Sequence, residues 1–199
     1  MTRLATTFVL AYHGCDKSVA DRVLSGDTKL LQSKRQFDWL GPGAYFWESD
    51  PQRAQEWAEW KAKRGDYKKP TVIGAAIDLG NCLDLITRQD LELVKAAHAS
   101  LQQTLTKAGL PMPENKSPEG RDEPDRLLRY LDCAVITHLH ESMVSSDPSD
   151  ASGIAPFDTV RGMFTEGAPL YDGCGFLEKS HVQIAVRNNT CIKGVFVPR

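Results

Sequence analysis

Strand-like and helix-like segments are segregated along this chain of 199 residues. Short β-branched and aromatic runs come first, at Thr7 to Tyr12, Ala44 to Trp47 and Thr71 to Asp78. Two long amphipathic runs follow, Gln89 to Lys107 and Asp125 to Met143, and strand-like runs return at Thr159 to Phe164, His181 to Arg187 and Cys191 to Val197. Strands at both ends with helices between them argue for an α+β fold, an antiparallel sheet carrying flanking helices and a helical insertion over 89–156. A chain of this length buries one sizeable core, so a single domain over 1–199 is expected.

Local signals place the boundaries. The first strand is expected to end at His13-Gly14, and a short helix to run from Ser18, as its cap, to Leu24 before Gly26. Gly41-Pro42-Gly43 opens the second strand. Ser49 or Asp50 then caps a helix with Pro51 in its first turn and Ala54, Trp57, Ala58 and Lys61 at helical spacing. Cys82-Leu83-Asp84-Leu85 is a further short extended piece. The Pro- and Gly-containing stretch Pro111 to Glu123 reads as an exposed loop, and Ser145 to Pro156 as a polar linker.

Charge narrows the function classes. With 24 Lys plus Arg against 26 Asp plus Glu, the formal charge is −2, which is not the footprint of a general nucleic-acid binder. One basic stretch, KAKRGDYKK from Lys61 to Lys69, stands out; it reads as a solvated helix end, with a local basic patch as the alternative. No apolar run approaches the roughly 20 residues that span a bilayer, so a soluble, cytoplasmic protein without a membrane partner is expected. The five cysteines are odd in number and lack C-x-x-C spacing, which fits reduced thiols better than disulfides or zinc. His138-x-His140 puts its two rings about 200° apart on a helix, so no metal site is expected there.

Three places hold residues with chemical potential. At Tyr12-His13-Gly14 an imidazole stands beside a glycine that lets the backbone approach a planar amide, although for the bare dipeptide a satisfied structural histidine is the better reading. In Gly41-x-Gly43-x-Tyr45-Phe46 the glycines permit close backbone approach, and alternation gives Tyr45 and Phe46 opposite faces, one for a pocket and one for the core. In the strand from His181, alternation puts His181, Gln183 and Ala185 on one face.

Together, strand-His-Gly, then Gly-x-Gly-x-Tyr-Phe before an acidic, Ala-containing helix, then a late strand with a polar residue, resemble the diphtheria-toxin-like and poly(ADP-ribose) polymerase-like ADP-ribosyltransferases. The resemblance covers Thr7 to Leu85 and Glu178 to Phe196. It implies a split antiparallel sheet and NAD as co-substrate. By that resemblance His13 bonds the 2′-hydroxyl of the adenine-linked ribose, Gly14 pairs with the carboxamide of nicotinamide, and Tyr45 stacks on its ring. Gly43 lets the chain pass close to the ligand.

At the position where the family carries a glutamate this chain has Gln183, which can hydrogen-bond the nicotinamide ribose but brings no charge. Glu178 or Glu166 would supply a carboxylate if their loop folds back, Arg161 would pair with a pyrophosphate or with Glu166, and His181 would contact an acceptor or simply be solvated. The resemblance therefore implies a mono-ADP-ribosyltransferase with the triad His13, Tyr45, Gln183, acting on a protein or nucleic-acid acceptor. A toxin or effector role, with an inhibitor or antitoxin partner, goes with it. The alternatives are an NAD or ADP-ribose binding module without turnover, an NAD glycohydrolase, and an RNA 2′-phosphotransferase.

Overall fold

The computed structural model describes residues 8–118, 126–144 and 155–199. The expected starts at Thr7 and Asp125, and most of the linker from Ser145 to Pro156, lie outside them. The described elements are β1 (Phe8–Asp16), α1 (Lys17–Leu24), β2 (Ala44–Glu48), α2 (Pro51–Lys63), β3 (Pro70–Asp78), β4 (Cys82–Asp84), α3 (Arg88–Lys107), α4 (Tyr130–Met143), β5 (Thr159–Phe164), β6 (His181–Val186) and β7 (Ile192–Phe196). The fold is α+β, with one seven-stranded sheet in the order β4-β5-β6-β2-β1-β3-β7.

The sheet is mixed, which corrects the expected antiparallel arrangement: β4 and β5 run parallel and every other pair antiparallel. The reason is the connection. Parallel neighbours need a crossover, and the chain makes it through α3 and α4, so the helical segment covers the sheet between two of its own strands. α3 and α4 join each other through Ala97, Leu101 and Val135.

Alternation along the strands sorts the two faces. One face carries Ala11, Phe46, Ile73, Ile77, Ile184 and Val186, covered by Ala20 and Val23 of α1. The other carries Leu83, Val160 and Ala185 beneath Ile136 of α4, and on its other half Gly14 beneath α2. A Cβ on Gly14 would stand 2.2 Å from the carbonyl oxygen of Ala54, so glycine is what lets α2 lie directly on β1.

Several boundaries differ from expectation. β1 runs through His13-Gly14 to Asp16, because β3 pairs with it along its whole length. Asp16, rather than Ser18, caps α1, accepting from the Ser18 amide and also from the Lys68 and Lys69 amides. Those amides, Lys69 first, hold the Asp16 carboxyl well below the usual carboxylate range. Asp50 caps α2, with Pro51 in the first turn, and α3 begins at a Thr87 cap and stops at Gly109, whose φ is +67°. α4 starts only at Tyr130, since Leu128 is held in a bridge to Lys116. Among the described residues no helix is long and apolar enough to cross a membrane.

Candidate functional site

β1 and β2 are paired only at Ala11–Glu48 and Tyr12–Trp47. Beyond that point the side chain of His13 does what a backbone amide would otherwise do. Its Nδ1–H donates to the Tyr45 carbonyl at 2.7 Å, and its ring lies 5.6 Å from that of Phe46. The carbonyl can only accept, so the proton sits on Nδ1 and Nε2 is left as an acceptor. Burial keeps the imidazole neutral, lowering its pKa against the smaller opposing effect of the Tyr45 carbonyl.

A cavity of about 290 Å³ lies on the α2 face of the sheet and reaches His13, Tyr45 and Gln183, which come from three different strands. Its floor is the sheet, one wall is α2 with Arg53, Trp57 and Lys61, and the other is the loop before β2 with Asp38 and Trp39. Tyr45 is fixed at both ends of its hydroxyl, which accepts from the Leu40 amide at 3.1 Å and donates to the Gly41 carbonyl at 2.8 Å. Burial pushes this phenol well above its ordinary pKa, so it stays protonated. Only the ring is left for a ligand.

Gln183 is equally constrained. Its Oε1 accepts from the indole N–H of Trp39 at 2.7 Å, and its amide N–H donates to Nε2 of His181 at 2.9 Å. The His181 Nδ1–H in turn donates to the Lys179 carbonyl, and burial lowers the His181 pKa. The chain of donors therefore requires a neutral His181. Trp39 reaches Gln183 because the residue opposite Gln183 on β5 is Gly162, where a Cβ would stand 2.7 Å from the indole.

The glycines of the two motifs do not line the cavity. Gly14 seats α2. Gly43 is in a bridge with Ser33 and close against β6, where a Cβ would meet Ala185 and the Val186 carbonyl at 3.1 Å. Gly41 is the one that needs a left-handed backbone, at φ +76°.

Of the two glutamates near β6, Glu166 and not Glu178 lines the cavity, where Asp38 is the other carboxylate. Main-chain bonds between Glu166 and Lys179 and between Ala168 and Glu178 extend the β5–β6 hairpin, and this brings Glu166 to Arg53 of α2 at 2.8 Å. Arg161 is not its partner. Alternation puts Arg161 on the opposite face of the sheet, between Glu48 at 2.6 Å and Asp84 at 3.1 Å.

Two donors of cavity-lining residues are buried without a partner, Nε1 of Trp47 and Nε of Arg53. A buried unsatisfied N–H costs about 1–3 kcal/mol, so these two donors are local weak points in the packing between α2 and β2. The α2 lining has a sequence signal: Arg53, Trp57 and Lys61 follow one another at four-residue spacing. Trp39 and Asp38 carry none, since a loop has no period.

Other polar groups do different work. His140 is buried, bonded to the Ile136 carbonyl and lowered to about 4 by burial, while His138 bonds Ser100; among the described residues no group of His, Cys, Asp and Glu could hold a metal ion. The five cysteines are free, and burial pushes the Cys15 and Cys82 thiols up to about 11. Comparison of the chain with protein-family models, curated proteins and solved structures gives no match.

Proposed function

We propose that the chain is an NAD-dependent mono-ADP-ribosyltransferase with an ADP-ribosyltransferase-like fold, and that the cavity at the β1–β2 gap takes the nicotinamide end of NAD. The observation that carries this reading is the convergence of His13, Tyr45 and Gln183, far apart in sequence, on one cavity. Cleaving the nicotinamide–ribose bond passes through an oxocarbenium-like transition state, so the site must hold the ring and orient the ribose. Here Tyr45 offers a ring clamped by its own hydroxyl, His13 a neutral acceptor for a ribose hydroxyl, and Gln183 an amide set by Trp39 and His181. The charge that glutamine lacks would come from Glu166, tempered by Arg53.

A second reading, an NAD-binding module without turnover, is favoured by one observation: Gln183 is neutral, and both ends of its amide are already engaged. Nicotinamide release from NAD by the purified protein separates the two. The transferase reading expects release that falls at least a hundredfold in Tyr45→Ala and clearly in Gln183→Ala. NAD binding with no release, with or without cell extract, leaves the binding module. Release that survives Tyr45→Ala removes this cavity as its site.

A further inference from the structure

Beside the cleft lies a second, larger cavity of about 1090 Å³, and the two share Arg53, Trp57 and Glu166 in their walls. A ladder of tryptophans leads from one to the other. Trp47, in the inner cavity, has its ring 5.9 Å from that of Trp57, and Trp57 is stacked on Trp60 at 5.0 Å and 29°. Trp60 lines only the outer cavity, is 41% exposed, and has the Arg64 guanidinium 4.6 Å from its ring centre.

Charge in the outer cavity is one-sided. Arg53 is paired with Glu166 and Glu56, and Lys61 with Asp66, which accounts for the three acids of the wall. Arg35, Arg64 and Lys179 also line it, and they form no ion pair among the described residues. A chain with a formal charge of −2 thus sets five cations against three acids around one aromatic ladder beside its cleft, with Asp66 held low first by Lys61 and then by Arg64 and Arg35.

We infer that the acceptor of the reaction proposed above is a single-stranded nucleic acid, one of whose bases stacks on Trp60 in exchange for the Arg64 guanidinium now over that ring, leaving Arg64, Arg35 and Lys179 to meet its phosphates. Stacking on aromatic faces, with cations along the backbone, is how unpaired strands are held. A duplex hides the faces of its bases, so an unpaired strand fits an exposed indole better. The inference rests on the NAD reading for its chemistry. In that step the nicotinamide–ribose bond breaks with its electron pair passing to the nicotinamide nitrogen. A base nitrogen of the strand forms the new bond to the ribose carbon and gives up one proton to water.

The strand is tested without NAD, so its failure is distinct from failure of the cleft. Anisotropy of short labelled single-stranded DNA and RNA is measured at low and moderate salt with wild type, Trp60→Ala, Trp60→Phe and Arg64→Glu. Circular dichroism checks the fold of each. The expected result is salt-dependent binding to at least one of the strands, weakened about tenfold in Trp60→Ala, restored largely in Trp60→Phe, and weakened further with a flatter salt slope in Arg64→Glu. Labelled NAD added to extract should then mark material that nuclease destroys. No strand binding at low salt, binding unchanged in Trp60→Ala, or label that only protease removes would overturn the inference, the last in favour of a protein acceptor.

Discussion

The two edges of β1 are built differently. Toward β3 it is paired along all nine of its residues, with α2 lying on the joint; toward β2 it is paired at two positions and then parts from its neighbour. On the closed edge glycines serve contact: Gly14 lies under Ala54 and Gly74 under the Phe196 ring, 2.3 Å from where a Cβ would be. On the open edge side chains replace the missing backbone bonds, His13 to the Tyr45 carbonyl and the Tyr45 hydroxyl to the Leu40–Gly41 turn. A sheet that is sealed everywhere has no room for a ligand among its strands. Here the room exists where backbone pairing stops and polar side chains keep the exposed main chain satisfied.

The closed edge is the easier to break. Gly14→Val drives a methyl-bearing carbon into the Ala54 carbonyl, which is backbone and cannot turn aside. We expect a loss of about 3 kcal/mol or more in urea unfolding. A variant as stable as wild type would mean that α2 does not lie on β1 as described.

On the open edge, Tyr45→Phe keeps the ring but leaves the Leu40 amide and the Gly41 carbonyl without their partner. A loss of about 2 kcal/mol is expected, with the ring still available to a ligand. Equal stability of the two proteins would show that the hydroxyl does not hold the turn.

Acid should act on the open edge and on the helical layer together. Burial lowers the pKa of His13, His181 and His140, the last to about 4, from an ordinary 6.5. Between those values the unfolded chain binds more protons than the folded one, so stability falls as pH falls from about 6.5 toward 4. A decrease on the order of 1–3 kcal/mol is expected over that window. Histidine resonances followed by NMR would assign it, and histidines titrating near 6.5 in the folded protein would contradict it.

The smallest effect is expected from Arg161→Met, on the face away from the cavity. It removes the cation between Glu48 and Asp84 and should cost about 1 kcal/mol. Nicotinamide release should stay within twofold of wild type; a large loss would return Arg161 to the site.

Much of the element content was legible. The β5 strand Thr159–Phe164 and the end of α3 at Lys107 were expected as found, because alternation, helical period and a stop glycine are local properties. The end of β1 and the parallel β4–β5 pair were not, because each depends on a partner strand far along the chain. His13, Tyr45 and Gln183, singled out through a resemblance to a known pattern, line one cavity. Gly14 and Gly43 were read as ligand contacts, yet their neighbours are Ala54 and Ala185, which no local rule could supply.

The sequence by itself determined most strand and helix positions, which strand positions alternate, and that residue 183 is a polar, uncharged glutamine. Tertiary structure alone decided that Glu166 rather than Glu178 meets the cavity, that Arg161 faces away from it, and that Trp39 and His181 set the Gln183 amide. Periodicity is carried by neighbours three or four residues apart, whereas these contacts, apart from the His181–Gln183 bond within one strand, join residues a hundred or more apart, and only packing against the same sheet brings them within hydrogen-bonding distance.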